Sequence, residues 1–290
     1  MSFIEKLDDE ALAFFNDVAA KPFSQQAVAF LNAYWNEVGS QADFIFTVAW
    51  EIMKYADMHT KGVSLIHLYE EGVNLEYNIG LYFYEKLCKF LEDNPQWAEE
   101  KWAISQPTMM TAIVRKKELR EKVDVNFDGK ISFLEYLLYQ YREFANPSDF
   151  VTRSIAQPDE HPEIKKARLA LEEVNRAMKA YEAEKARLEE ASKLPGVKGL
   201  TAKHTLAQLD SSPLKEQLNK ALITAEAAVR IANRKFGKGG SYKAAEGERV
   251  APTEGSMWWM NRDLEEKKRR YGGRKPRGAD MASRSKNAAH

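Results

Sequence analysis

The sequence predicts an all-α protein in two parts, a helical N-terminal domain followed by an elongated, rod-like antiparallel helical bundle. Three observations lead there. The first 150 residues hold several aromatic-rich segments of helical periodicity, parted by glycine and proline. Residues 162–236 repeat apolar side chains in a three-four rhythm among Glu, Lys and Arg, as long amphipathic helices do. Within the first of these regions, the stretch DVNFDGKISFLE at 124–135 separates two helical flanks with oxygen-bearing side chains at alternate positions.

Taken in order, EALAFFNDVAA (10–20), QQAVAFLNAYWNEVG (25–39), DFIFTVAWEIMKYADMHT (43–60) and IGLYFYEKLCKFLED (79–93) read as helices. Lys21-Pro22, Gly39-Ser40, Gly62 and Asn94-Pro95 break them apart. MTAIVRKKELREKV (110–123) places Ile113, Leu119 and Val123 among charges and predicts a helix entering the acidic stretch. FLEYLLYQYREFA (133–145) predicts the helix leaving it, stopped by Asn146 and Pro147.

The twelve residues between those helices match a calcium-binding EF-hand loop. Asp124, Asn126 and Asp128 stand at positions one, three and five, short side chains whose oxygens can converge on one point. Gly129 allows the sharp turn at position six, and Glu135 at position twelve can reach back with both oxygens. Lys130 would offer its backbone carbonyl, Ser132 a ligating water, and Ile131 an apolar contact between the flanking helices. Hard oxygen ligands suit a hard cation, so the ion implied is Ca2+. Because such loops commonly pair, GVNLEYNIGLYF (72–83) is the expected non-binding partner, with Ile79 in the part of Ile131.

NPSDFVTRSIAQPDEHP (146–162) carries three prolines and predicts a linker, set at 151–161 between the domain 1–150 and a helical domain at 162–237. In the latter, Ile164, Ala167, Leu171, Val174, Met178, Tyr181 and Leu188 form one stripe. LPGVKGL (194–200) gives a turn, Pro213, with Ser212 as its cap, either restarts the second helix or kinks it, and Leu214, Leu218, Ala221, Ala225, Val229, Ala232 and Phe236 continue the pattern. Leu222 and Ile223 are expected to lie off that stripe. Residues 238–290 read as a flexible, basic tail: from Arg262 to Lys286 there are ten basic residues against four acidic ones. Within it, Trp258-Trp259-Met260 either docks on the protein's own core or grips an acidic partner.

At 290 residues, 44% hydrophobic and 30% charged, the chain can bury two cores and cover them. No apolar run approaches the ~18 residues of a membrane span, and the acidic N-terminus is unlike a secretory signal. A single cysteine, Cys88, fits a reducing compartment, and a cytoplasmic location is expected. Zero net charge and the lack of a recognised module argue against nucleic acid. Five scattered histidines, with no HExxH, GxSxG or phosphate-cradling glycine loop, point away from an enzyme.

Five stretches carry a family resemblance: FSQQAVAFLNAYW (23–35), KVDVNFDGKISFLEYLLYQYREFANPSDF (122–150), EHPEIKKARLALEEVNRAMKAYEAEKARL (160–188), SPLKEQLNKALITAEAAVR (212–230) and WWMNRDLEEKKRRYG (258–272). In order and spacing they closely resemble the calcium-regulated actin-bundling proteins of amoeboid cells. The resemblance implies filament bundling that calcium inhibits, with F-actin as partner and the actin cytoskeleton as location. It places strong actin binding between about Leu194 and Phe236, on Pro213, Leu214, Lys215, Gln217, Leu218 and Leu222. Weaker contacts fall to the N-terminal domain and to Trp258, Trp259, Arg262, Lys267, Lys268, Arg269 and Arg270. A bundler must touch two filaments, and several sites in one chain make a monomer the expectation. The rival reading is a calcium sensor or buffer that binds a non-actin helical target, and a weaker one is tail-mediated attachment to anionic membrane.

Overall fold

A buried glutamine shows how the first part of the chain is organised. Gln26 donates to the carbonyls of Ala19 at 2.9 Å and Val73 at 2.7 Å, while its Oε1 accepts from Leu134 N at 2.8 Å. One satisfied polar side chain thereby ties the end of the first helix to a loop near residue 73 and to the start of the helix that follows the acidic stretch. The computed structural model describes residues 7–155, 160–237, 240–242 and 252–272, and these fall into two units, one drawn from 1–161 and 241–259, the other from 162–240 and 260–290.

The first unit contains α1 (Asp9–Ala19), α2 (Phe23–Val38), α3 (Ala42–Phe44), α4 (Glu51–Thr60), α5 (Tyr77–Asp93), α6 (Ala112–Glu118), α7 (Phe133–Gln140) and α8 (Pro147–Ile155). Asp8 caps α1 by accepting from Ala11 N at 2.8 Å. A π-helical stretch, Ile45–Trp50, carries α3 into α4, and another, Leu119–Val123, widens the chain after α6 just before the acidic loop. Phe15, Phe23, Phe30, Tyr34, Phe44, Phe83, Phe133 and Phe150 are fully buried. Phe15 meets Phe150 and Phe23 meets Phe133 edge to face, at 6.4 and 6.3 Å between ring centroids.

Strands β1 (Asn74–Glu76) and β2 (Lys130–Ser132) pair antiparallel, setting Asn74 against Ser132, Leu75 against Ile131 and Glu76 against Lys130. This corrects the expected partner: Leu75, not Ile79, stands opposite Ile131, and Ile79 lies in the first turn of α5. Counting from Leu75 as the eighth position, the paired loop spans 68–79, four residues earlier than predicted. Both Leu75 and Ile131 are buried, which fixes the register.

Two boundaries also move. The leaving helix ends at Gln140, with hydrogen-bonded turns continuing to Ala145. Helix α8 begins at Pro147 and runs through Ile155, so the first five residues of the predicted linker are helical, because Phe150 and Val151 bury in the first unit. Residues 156–159 of that linker lie outside the described residues.

The second unit contains α9 (Pro162–Ser192), α10 (Val197–Ala207), α11 (Pro213–Phe236) and the later part of α12 (Glu254–Tyr271). Ser212 caps α11 by accepting from Lys215 N at 3.3 Å, with Pro213 in the first turn. Helices α9 and α11 run antiparallel: Lys235 meets Glu163 at 2.8 Å at one end, and the Lys215 ammonium lies over the Tyr181 ring, 5.4 Å from its centroid, further along. Helix α12 runs antiparallel to α11, with Asn261 paired to Asn233 and Lys268 to Glu226 at 2.8 Å. The predicted stripe of α9 is buried at Ile164, Ala167, Leu171, Val174, Tyr181 and Leu188, while Met178 is half-buried.

Helix α12 departs from the expected flexible tail. Met257, Trp259, Met260, Leu264 and Tyr271 are buried, and the helical spacing of Met257, Met260, Leu264 and Tyr271 gives the segment an apolar face. Residues 273–290, the end of the segment read as a flexible tail, lie outside the described residues, as do 243–251.

Candidate calcium and filament-contact sites

The loop between α6 and α7 is shaped by its own side chains. Asn126 Oδ1 accepts from Asp128 N at 3.2 Å, Asp128 Oδ1 from Lys130 N at 2.8 Å, and Asp124 Oδ2 from Gly129 N at 3.0 Å. Each acid or amide bends the chain back on itself as a short local turn. Phe127 and Gly129 take left-handed conformations, at φ 57° and 83°, so the sixth position uses the freedom that glycine supplies. Ser132 and Glu135 form a reciprocal capping box that opens α7 directly after β2.

Asp124 is 1% exposed. Its Oδ2 takes two donors, Gly129 N and the Tyr77 hydroxyl at 2.5 Å, while its Oδ1 is buried without a hydrogen-bond partner among the described residues. A buried, unpartnered carboxylate oxygen is costly, and a cation is the partner that such an atom suits best. Glu135 accepts from Val125 N, Ser132 N and Ser132 Oγ, each at 2.8 Å. Burial outweighs those donors and pushes its carboxyl up to about 8. Among the described residues no three His, Cys, Asp or Glu side chains stand as a ready metal cluster, and Glu135 is engaged in the capping box. The oxygen-rich donor set and the orphaned Asp124 Oδ1 nevertheless fit a hard divalent ion, which Asp124, Asn126, Asp128, the Lys130 carbonyl, Ser132 through water, and Glu135 would hold.

The candidate filament residues are placed unevenly. Pro213 and Gln217 are exposed and Leu214 is half-buried, but Leu218 and Leu222 are core residues of the second unit. Leu222 therefore joins the stripe it was expected to leave. The cause is geometric: α11 meets α9 on one side and α12 on another, which widens its buried face beyond a simple stripe. Ile223 does lie outside, 69% exposed. Lys215 donates to the Tyr271 carbonyl at 2.7 Å, so its ammonium caps the end of α12.

On α12 the same division holds. Trp259 is buried against Phe46 and Trp50, at 4.9 and 5.1 Å between centroids, and Trp258 is half-buried beside Trp35. Of the two readings of this cluster, docking on the protein's own core describes Trp259. Lys267 is buried and paired with Asp263, Arg262 is half-buried, and Lys268, Arg269 and Arg270 are exposed. Exposed apolar side chains gather instead at the turn into α10, where Leu194, Val197 and Leu200 stand among Lys193, Lys198 and Lys203.

Two residues escaped sequence reasoning, Tyr77 and Asn16. Asn16, on α1, accepts from Asn126 Nδ2 at 2.8 Å. Tyr77 becomes visible as the tenth position of the paired loop only when the register is read from Leu75. No local pattern marks Asn16, whose approach depends on tertiary packing.

A family model described as "F actin bundling C terminal" matches residues 130–270. The calcium-regulated actin-bundling protein of Dictyostelium discoideum is 64% identical over 276 residues, covering 94% of this chain and 93% of its own length. The crystal structure of the 34 kDa F-actin bundling protein from the same organism aligns with a TM-score of 0.85 at 62% identity, over 93% of this chain and all of that one.

Proposed function

This chain belongs to the family of calcium-regulated actin-bundling proteins, and from that premise we propose that it cross-links actin filaments and that calcium at the 124–135 loop inhibits the bundling. The observation that carries the calcium half is the buried, unpartnered Asp124 Oδ1 inside a loop in which Asn126 and Asp128 each close a local turn. Calcium bound there supplies a compact double positive charge that compensates the buried carboxylates. Glu135 links this charge to the scaffold, since its oxygens hold the loop backbone at Val125 and Ser132 while its own backbone begins α7.

Filament contact falls to exposed residues of the second unit. Val197, Leu200 and Ile223 offer apolar area, and Lys198, Lys203, Lys220 and Arg230 supply positive charge for an acidic, repetitive partner. The core positions Leu218 and Leu222 act by holding α11 rather than by touching the filament. Pro213 and Gln217 at the exposed start of α11, and Trp258 with Lys268, Arg269 and Arg270 on α12, remain available as further contacts. More than one contact region in a single chain allows a monomer to join two filaments. Cytoskeletal localisation follows from the same partner.

The test is co-sedimentation with actin filaments, at low speed for bundles and high speed for binding, in chelator and in micromolar calcium. The proposal expects filaments in the low-speed pellet with chelator and fewer with calcium. Absence of any pelleted protein in both conditions would contradict filament binding and favour a calcium sensor with another helical target.

A further inference from the structure

We propose that Tyr77, with Asn16 in a lesser role, is a positioning residue for the calcium site, a side chain from outside the loop that aims its ligands. The inference rests on the calcium reading above and concerns how the ligand oxygens are presented.

A carboxylate has two nearly equivalent oxygens and rotates easily about its Cβ–Cγ bond, so a lone Asp can present either oxygen, or neither, to an ion. In Asp124 the two are not equivalent. Tyr77 Oη and Gly129 N both donate to Oδ2, at 2.5 and 3.0 Å, and Oδ1 is left buried with no donor. Two donors arriving from different directions fix the plane of the carboxylate and reserve Oδ1. A phenol is protonated at neutral pH and has a hydrogen to give, which makes the direction of the Tyr77 bond unambiguous. Ligating carboxylates are commonly oriented by such outer partners.

The hydroxyl is delivered by the loop that has no ligands of its own. Tyr77 directly follows β1, and the β1–β2 ladder pins Glu76 opposite Lys130 and Leu75 opposite Ile131. The Tyr77 backbone is therefore held in register with the calcium loop by main-chain pairing and by two buried aliphatic side chains. Asn126 is treated in the same manner. Its Nδ2 donates to Asn16 Oδ1 at 2.8 Å, which turns Nδ2 toward α1 and leaves Oδ1 on the side where it accepts from Asp128 N. Since Asn16 is exposed and water can replace it, its contribution is the smaller one.

The experiment compares the full chain with its Tyr77→Phe and Asn16→Ala variants. Calcium affinity is measured by titration calorimetry, and the number of coordinated waters by terbium(III) luminescence lifetimes in water and deuterated water. Wild type should bind both ions. Tyr77→Phe should weaken calcium binding by roughly 10- to 100-fold, the range for loss of an outer partner. It should also add water to the bound terbium, while the melting temperature in chelator falls only slightly, as the loss of one hydrogen bond to Asp124 with the ring kept requires. Asn16→Ala should weaken binding by only about threefold, as a solvent-replaceable partner does. Equal affinity and equal hydration in wild type and Tyr77→Phe would overturn the proposal, and so would a loss of stability in chelator that accounts for the whole change. A wild-type chain that binds neither ion would overturn the calcium reading itself, a failure visible before any variant is compared.

Discussion

Opposite Ile131, the eighth position of the loop 124–135, stands Leu75, and around these two residues one backbone plan has been used twice. At positions one, three, five and twelve the first loop has Asp124, Asn126, Asp128 and Glu135. The paired loop has Leu68, Glu70, Gly72 and Ile79 there. The aliphatic eighth position is kept in both and the oxygen ligands in only one. Pairing needs a buried side chain and a strand-like backbone, whereas ion binding needs oxygens at particular positions. The glycines differ in the same sense. Gly129 serves through its φ of 83°, in open space. Gly72 serves by closeness, since a Cβ there would lie 2.5 Å from the carboxylate of Asp57. That carboxylate is itself held by Tyr69 and Lys61, each at 2.8 Å. One loop carries the candidate ligands; the other pairs with it along the ladder.

Removing the shared element gives the largest expected effect. Leu75→Ala should destabilise the first unit by about 3 kcal/mol, the usual cost of truncating a fully buried leucine. Thermal unfolding in chelator checks this, and a change below about 0.5 kcal/mol would mean that the ladder does not depend on the buried pair.

The feature that belongs to the binding loop alone comes next. Gly129→Ala forces a side chain into the left-handed region and should cost about 1–2 kcal/mol, seen both as lower stability and as weaker calcium binding. Stability unchanged in chelator would show that the loop relaxes to another turn.

A third difference concerns protons. Burial holds the Glu135 carboxyl at about 8, above its ordinary 4.5. The folded chain therefore keeps a proton that the unfolded chain releases, so in chelator this group's contribution is fully present below pH 4.5 and is lost as pH rises through about 8. Calcium requires the carboxylate, so its affinity moves the other way, rising by up to about tenfold per pH unit below that value and levelling above it. Calcium titrations at pH 6.5, 7.5 and 8.5 read the slope directly, and a flat profile would remove Glu135 from the linkage.

How much of this was legible in sequence depended on how local each determinant was. The loop's ligands sit within twelve residues and could be numbered at sight. The register of its partner depends on a ladder between residues more than fifty apart, and Ile79 satisfied the local pattern as well as Leu75 did. The stripe of α9 was read because an amphipathic helix with one main buried side repeats simply. On α11 the second neighbour, α12, added Leu222 to the buried face, and no local spacing announces a second neighbour. Helix α12 itself was masked by its glycine-rich approach and dense charge, although Met257, Met260, Leu264 and Tyr271 hold a helical rhythm. The linker was misjudged at its start because Pro147 opens α8, a position in which proline favours a helix.

Calcium is proposed to act on bundling through the 124–135 loop. Low-speed co-sedimentation of Glu135→Gln with actin filaments, in chelator and in micromolar calcium beside the wild type, tests it most directly. The variant should bundle equally in both conditions while the wild type bundles only in chelator. Dispersal of the variant's bundles by calcium, to the same extent as the wild type's, would contradict it.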